Sequence, residues 1–256
     1  MKKTNHLRRR RRVTLAAIST GGLLALAGGV PAAPLGSNLV VNGGFENVNL
    51  QSTGAYGGPQ ILDWSGLAAF AYSHDGSSSS IGVVPNYADG APPPGAGHWY
   101  FTSNNGPTGP INIDAPGQFF QDINVAAGAT GALIATGAAR YNLSAYMSSY
   151  LNDNDFGNAH IDFLNSTGGS LGVALLSDSD PGPDNVWNLN SLSGLVPVGT
   201  ATMRLSVFGT PINFGPDGYI DNVALSITAV PEPSAMVIAS GVFLFTLVRK
   251  RRRDGP

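Results

Sequence analysis

Apolar and polar positions alternate in short runs along the middle of the chain. In Tyr141–Ser148 (YNLSAYMS), Tyr141, Leu143, Ala145 and Met147 fall on one side, and Asn142, Ser144 and Tyr146 on the other. Met203, Leu205 and Val207 alternate with Thr202, Arg204 and Ser206. In GYIDNVALSI the positions Tyr219, Asp221, Val223, Leu225 and Ile227 share one side. Successive side chains of a strand point to opposite faces, so a period of two predicts half-buried strands. Leu39–Val41, Trp99–Thr102, Phe119–Val125 and His160–Leu164 are shorter strand candidates.

Turn-rich stretches such as ADGAPPPGAG (Ala88–Gly97) and SDSDPGPDN (Ser177–Asn185) separate these runs. No amphipathic helix of convincing length is predicted. Many short strands in one domain imply an all-β sandwich or barrel. The chain has 256 residues, and 34 glycines and 18 prolines suit a fold with many turns. Both ends carry processing signals, which leaves roughly 190 residues for one folded domain.

The N-terminus reads MKKTNHLRRRRRVTLAAISTGGLLALAGGVPAAP. A basic segment precedes an apolar run from Val13 to Val30, and small residues follow at Ala32 and Ala33. These are the three parts of a secretory signal peptide. Cleavage after Ala32 would remove residues 1–32; Ala25-Leu26-Ala27 offers an alternative site.

At the other end, Ala235–Val248 holds no charge and runs into Arg249-Lys250-Arg251-Arg252-Arg253. As a helix this apolar run spans about 21 Å, against about 30 Å for a bilayer core. Extending it back to Glu232 and letting Arg249 snorkel gives a single, short transmembrane helix. A buried core helix would not end in five basic residues, and the cluster marks the cytoplasmic side. Val230, Pro231, Glu232 and Pro233 stand just before the run. The order of Pro-Glu-Pro, apolar span and arginine-rich end over residues 230–253 resembles the PEP-CTERM sorting signal. That resemblance implies recognition and removal of the tail by an exosortase, a membrane-embedded cysteine protease-transpeptidase. It further implies an inner-membrane intermediate that the export machinery delivers to the cell surface or extracellular matrix. The family occurs in Gram-negative bacteria that make exopolysaccharide.

Charge sharpens the picture of the domain between the signals. Twelve of the 14 basic residues lie in the two terminal segments, leaving Arg140 and Arg204 against 14 acidic residues between 33 and 230. A net charge near −12 keeps a domain soluble, attracts cations, and excludes nucleic acid as a partner. There is no cysteine, hence no disulfide, thiol nucleophile or thiolate metal site.

Several segments, in order, resemble one fold family. NLVVNGGFE (Asn38–Glu46), ILDWSG (Ile61–Gly66), GQFFQDINVAAG (Gly117–Gly128), YNLSAYMSS, HIDFLNSTGGSLG, VPVGTATMRLSVFG and DGYIDNVALS resemble the galactose-binding-domain-like jelly roll. This is the fold of several carbohydrate-binding modules, and the resemblance covers residues 37–228. Asp221, on the apolar side of its strand, needs a partner if buried. Arg204 points away from its own strand's apolar set, so a cation is attractive. Calcium takes six to eight oxygen ligands. In families of this fold a structural calcium joins the first and last strands, which implies Glu46 and Asp221 as its ligands. The alternative is an exposed or turn-bound Asp221. Asp153-Asn154-Asp155 and Asp178-Ser179-Asp180 lack the spacing of an EF-hand loop and read as solvated turns.

Sugar-binding surfaces combine flat aromatic rings with hydrogen-bonding side chains. Tyr146 and Tyr150, on the side of Asn142 and Ser144 and away from Leu143 and Met147, are the first candidates; Trp99 and Trp187 are next. Core packing is the alternative for both tryptophans, and ordinary exposed surface is the alternative for the tyrosines. The scarcity of basic residues favours neutral polysaccharide unless calcium bridges an acidic one. No catalytic motif stands out: His74, His98 and His160 are isolated, and Ser73-His74-Asp75 reads as a loop. The chain is therefore expected to be an exported, non-enzymatic jelly-roll β-sandwich that binds glycan. A ligand-free structural protein is the alternative, and a small hydrolase a distant third.

Overall fold

The computed structural model describes residues 33–231 except 55–57, 77, 80–81, 84–90, 105–111, 151–153, 180–185 and 213–216. The signal segment 1–32, Glu232, Pro233 and the apolar tail lie outside the described residues. Among the described residues no helix is long and apolar enough to cross a membrane.

The elements in chain order are β1 (Val48–Thr53), β2 (Pro59–Ile61), β3 (Ser65–Gly66), β4 (Phe70–Ser73), β5 (Ser78–Ser79), β6 (Gly82–Val83), β7 (Trp99–Thr102) and β8 (Phe119–Asn124). There follow α1 (Gly128–Thr136), β9 (Ala139–Ser148), β10 (Phe156–Leu164), β11 (Ser170–Ser177), β12 (Asn188–Leu195), β13 (Thr202–Thr210) and β14 (Tyr219–Ala229). Two antiparallel sheets form a β-sandwich: seven strands in the order β1-β2-β4-β7-β14-β9-β12, and five in the order β11-β10-β13-β8-β3. β5 and β6 form a separate two-stranded ribbon.

The alternation seen in sequence becomes the core. Tyr141, Leu143, Ala145 and Met147 of β9 are buried, as are Met203, Leu205 and Val207 of β13. Burying a side chain of this kind contributes roughly 1.5–3 kcal/mol, which fixes the register of each strand. Phe101 of the seven-stranded sheet stacks on Phe119 of the five-stranded sheet at 5.5 Å. Trp64 extends the stack, 5.1 Å from Phe119 and 5.6 Å from Phe45, and its indole N–H donates to the Asn42 carbonyl.

One expectation fails locally. Leu39–Val41 forms no strand, because the chain turns at once, with Asn42 and Phe45 at positive φ. Leu39 instead donates its N–H to Leu225 O, and Val41 is gripped on both its N–H and its carbonyl by the Gln121 side-chain amide. The nine-residue helix α1, which ends at Gly137 in the left-handed conformation, is not amphipathic and is not among the elements the sequence predicts. Its sequence GATGALIAT has small residues where a long apolar stripe would stand, so no helical period announces it.

Candidate functional site

The site begins with a β-bulge in β14. Asp221 pairs with Tyr146 and Ala224 with Ser144, so Asn222 and Val223 have no single partners between them, and Asn222 takes a φ of 50°. The bulge shifts the alternation by one residue. Ile220 lies opposite Met147 and faces the core, where a Cβ on Gly157 would press on its side chain. Asp221 therefore shares the outer face of the sheet with Tyr146, while Val223, Leu225 and Ile227 turn inward. The sequence expectation that Asp221 and Val223 share a face is corrected by this one inserted residue.

Asp221 is buried nonetheless, because a second aromatic cluster covers the outer face here. Tyr72, Tyr100 and Tyr219 lie with ring centroids 5.3–6.0 Å apart, and Trp187 closes over Tyr100 at 5.3 Å. His74 sits among them, 4.8 Å from Tyr100 and 5.2 Å from Trp187, with Nε2 3.0 Å from Asp221 Oδ2. Asp221 Oδ1 accepts the Asn222 N–H at 2.6 Å. Burial pushes the Asp221 carboxyl above its ordinary value; His74 and the Asn222 N–H pull it back, and the nearby negative charge of Glu46 adds to the rise. The partner that sequence reasoning sought in an arginine or a metal is thus a histidine. Ser73 ends β4 and His74 is buried, so the Ser73-His74-Asp75 stretch is no open loop; Asp75 instead faces His98 at 3.7 Å.

The motifs NGGFE and YIDNV meet at this bulge. Val223 donates its N–H to Gly43 O, and a Cβ on Gly43 would overlap the Val223 carbonyl oxygen. Glu46 accepts the Trp99 N–H at 2.8 Å, with its carboxylate against Gly97. Glu46 and Asp221 lie near enough for the charge of one to act on the other; carboxylates supply oxygen donors of the kind calcium takes, and their mutual repulsion is what a cation would relieve. Among the described residues no group of three or more His, Asp or Glu is placed to hold a metal ion, so backbone carbonyls or water would complete such a site. Of the other two calcium-like stretches, Asp155 is fully buried and accepts the N–H groups of Ile212 and Asp217 at 2.6 and 2.9 Å. Asp178 is buried too, bound by Asn190 at 3.2 Å. Both hold loops together and are not solvated turns; Asp153 and Asp180 lie outside the described residues.

Beyond Asp221 the outer face of the seven-stranded sheet opens into a groove of about 450 Å³ with mixed polar and apolar walls, Leu143, Leu192 and Leu225 among them. Asn38, Asn142, Ser144, Ser191, Ser193 and Ser226 line it, from the opening segment, β14, β9 and the edge strand β12. Tyr146 stands two positions beyond Ser144 on the same face, half-buried, opposite Asp221 on one side and the exposed Leu189 on the other. Amides and hydroxyls at strand spacing, with a phenol at the end, can meet the hydroxyls and a C–H face of a sugar. Tyr150 lies past the end of β9, half-buried against the core, close enough to Tyr219 to add to the rise in that phenol's pKa, for which burial is the main cause. Trp187 is buried in the aromatic cluster, and its indole N–H finds no hydrogen-bond partner among the described residues. Trp99 alternates with Tyr100 and so faces the core side with Phe101; it too is buried. Of the four aromatic candidates only Tyr146 adjoins the groove. Sequence reasoning reached Asn142 and Ser144 but missed Ser191 and Ser193, because NLNSLSGL has too little apolar contrast to read as a strand.

No protein-family model and no curated protein sequence matches the chain. Solved structures similar to it include carbohydrate-binding modules with a β-sandwich fold. One is the CBM22-1–GH10 part of Clostridium thermocellum xylanase 10B complexed with xylohexaose, at 10% identity and a TM-score of 0.40, covering 77% of this chain. The chain spans only 30% of that structure's length. Another is TmCBM61 in complex with β-1,4-galactotriose, at 11% identity and TM-score 0.35, with 73% of this chain and 97% of that one covered. A third is the Stig cyclase Fisc from Fischerella sp. TAU, at 11% identity and TM-score 0.44, with 76% and 98% covered.

Proposed function

We propose that this chain is an exported β-sandwich of the galactose-binding-like jelly-roll type that holds glycan weakly in the groove beside Tyr146. The observation that carries the reading is the groove itself: six hydrogen-bonding side chains from four neighbouring segments face solvent in one concavity. Its volume falls within the roughly 300–1,000 Å³ of small-ligand sites. Each neutral hydrogen bond to a sugar hydroxyl nets only about 0.5–1.5 kcal/mol, so binding is expected to be weak and to gain from multiple copies. Calcium held by Glu46 and Asp221 would pin the NGGFE turn to the β14 bulge, next to the groove. The reading assigns no catalytic step to the chain; general glycosidase and esterase substrates test that. The ligand-free alternative draws support from the burial of Trp99 and Trp187.

Export by residues 1–32 and sorting through 230–253 complete the reading, supported by the order of charge, Pro-Glu-Pro and apolar span in the sequence. Mass spectrometry of the protein from its host tests this part. The mature form is expected to lack residues 1–32 and the span Ala235–Val248. Peptides containing Phe243–Val248 in most mature molecules would overturn the processing. Affinity electrophoresis against a panel of exopolysaccharides tests the binding.

A further inference from the structure

We infer that the glycan taken by this groove carries an isolated carboxylate, and that Arg140 binds it at one end; this rests on the glycan reading above. Arg140 and Arg204 are the only Lys or Arg residues between positions 33 and 230. Arg204 is fully engaged: its Nε and Nη2 donate to the two oxygens of Asp122 at 2.7 and 2.8 Å, and its guanidinium lies 4.2 Å over the ring of Phe120. Arg140 makes no ion pair among the described residues. It stands on β9 two positions before Asn142, on the same outer face, opposite Thr228 of β14 and Leu195 of β12. Its Nη1 donates to Ser193 Oγ at 3.4 Å, and Ser193 lines the groove.

A guanidinium has five N–H donors in a planar fork that matches a carboxylate. Arg140 uses one of them, in a long bond to a neutral hydroxyl, so most of the fork is available at the groove's edge. The groove residues themselves carry no charge. Asp221, near the opposite end by Tyr146, is buried and held by His74. Among the described residues that line the groove, an anionic group thus meets no competing carboxylate, and Arg140 at the edge is where it can dock.

The charge of the whole domain decides how many such groups the ligand can carry. Fourteen acidic residues against two basic ones repel a dense polyanion. Salt screens that repulsion over about 8 Å at physiological strength, whereas a direct guanidinium–carboxylate contact acts at hydrogen-bond range. The combination selects a neutral backbone with sparse carboxylates, such as one uronic acid per repeat, over a continuous polyuronate. Composition favours neutral polysaccharide unless calcium bridges an acidic one; the place of Arg140, which makes no ion pair among the described residues, adds a sparse carboxylate to that picture.

The test uses the full chain in affinity electrophoresis with one exopolysaccharide carrying a single glucuronate per repeat, in its native form and after reduction of the carboxyl to the alcohol. Native polymer is expected to retard the protein about tenfold more strongly than the reduced one. Arg140→Gln, folded by its melting curve, should lose that preference while keeping the weaker retardation by reduced polymer. Arg140→Lys, which keeps the charge and loses the fork, should retain part of it. Equal retardation by both polymers, or a preference that survives Arg140→Gln, overturns the role of Arg140 and leaves glycan binding standing. No retardation by either polymer overturns both.

Discussion

His74 and Asp221 lie 147 positions apart in sequence, yet Nε2 of one is 3.0 Å from Oδ2 of the other, both buried beneath Tyr100 and Trp187. The contact ties the end of β4 to the bulge of β14 and anchors the outer aromatic cluster beside the groove. A buried polar pair of this kind is costly to break and only modestly favourable to make, because removing one partner leaves the other without compensation.

That cost gives a pH signature. Burial raises the Asp221 carboxyl in the folded protein above its ordinary value of 3.8, with His74 and Glu46 the ionisable groups facing it. As pH rises, the unfolded chain therefore loses this proton first. The contribution of Asp221 to stability is fully present below the unfolded value and is lost as pH rises through the folded one. Melting temperatures of wild type and Asp221→Asn, compared in chelator between about pH 3.5 and 7, should show the wild-type advantage shrinking with rising pH. An advantage that grows over that range contradicts the assignment.

Calcium should act on the same carboxylates. A cation bound only by the native state at 100 times its dissociation constant adds about 2.7 kcal/mol of stability, several degrees in melting temperature. Calcium is expected to raise the melting temperature of the wild type, and Glu46→Gln and Asp221→Asn to abolish the rise. A wild-type protein that melts identically in calcium and in chelator, and contains no metal by elemental analysis, holds no such site.

Gly43 tests the junction of the two sequence motifs without touching a charge. Its backbone packs directly on the Val223 carbonyl and accepts the Val223 N–H. Gly43→Ala has no flexible side chain to displace and must move backbone. It should cost about 1–3 kcal/mol, read as a lower urea midpoint at unchanged slope. Gly36→Ala is a weaker control: nothing lies within 4 Å of the added methyl, so its cost comes from its φ of 74° alone.

What the sequence made legible follows from how local each signal is. β8, β9 and β13 were readable because alternation runs through most of each strand, and β7 because WYFT is a short run of strand-favouring aromatic residues. In β14 the same rule misplaced Asp221, since a bulge changes the phase of the alternation without changing the composition. The His74 partner was hidden because contact across 147 residues leaves no mark in either local stretch. Asp155 and Asp178 looked solvated for the opposite reason: short polar residues in turns are equally suited to water and to buried N–H groups, and only the fold decides. Half of the groove was visible in Asn142 and Ser144, and the other half waited on strand pairing to bring β12 alongside.

The central claim is that the outer face of β14, β9 and β12 binds glycan. Its most direct test is the retardation of the full chain in gels containing neutral and sparsely acidic exopolysaccharides, wild type against the Asn142→Ala, Tyr146→Ala double variant. Retardation of the wild type by at least one polymer, reduced about tenfold or more in a variant that melts as a folded protein, is the predicted result. Retardation that the double variant keeps in full would place any glycan site elsewhere, and a folded wild type that no polymer retards would contradict glycan binding altogether.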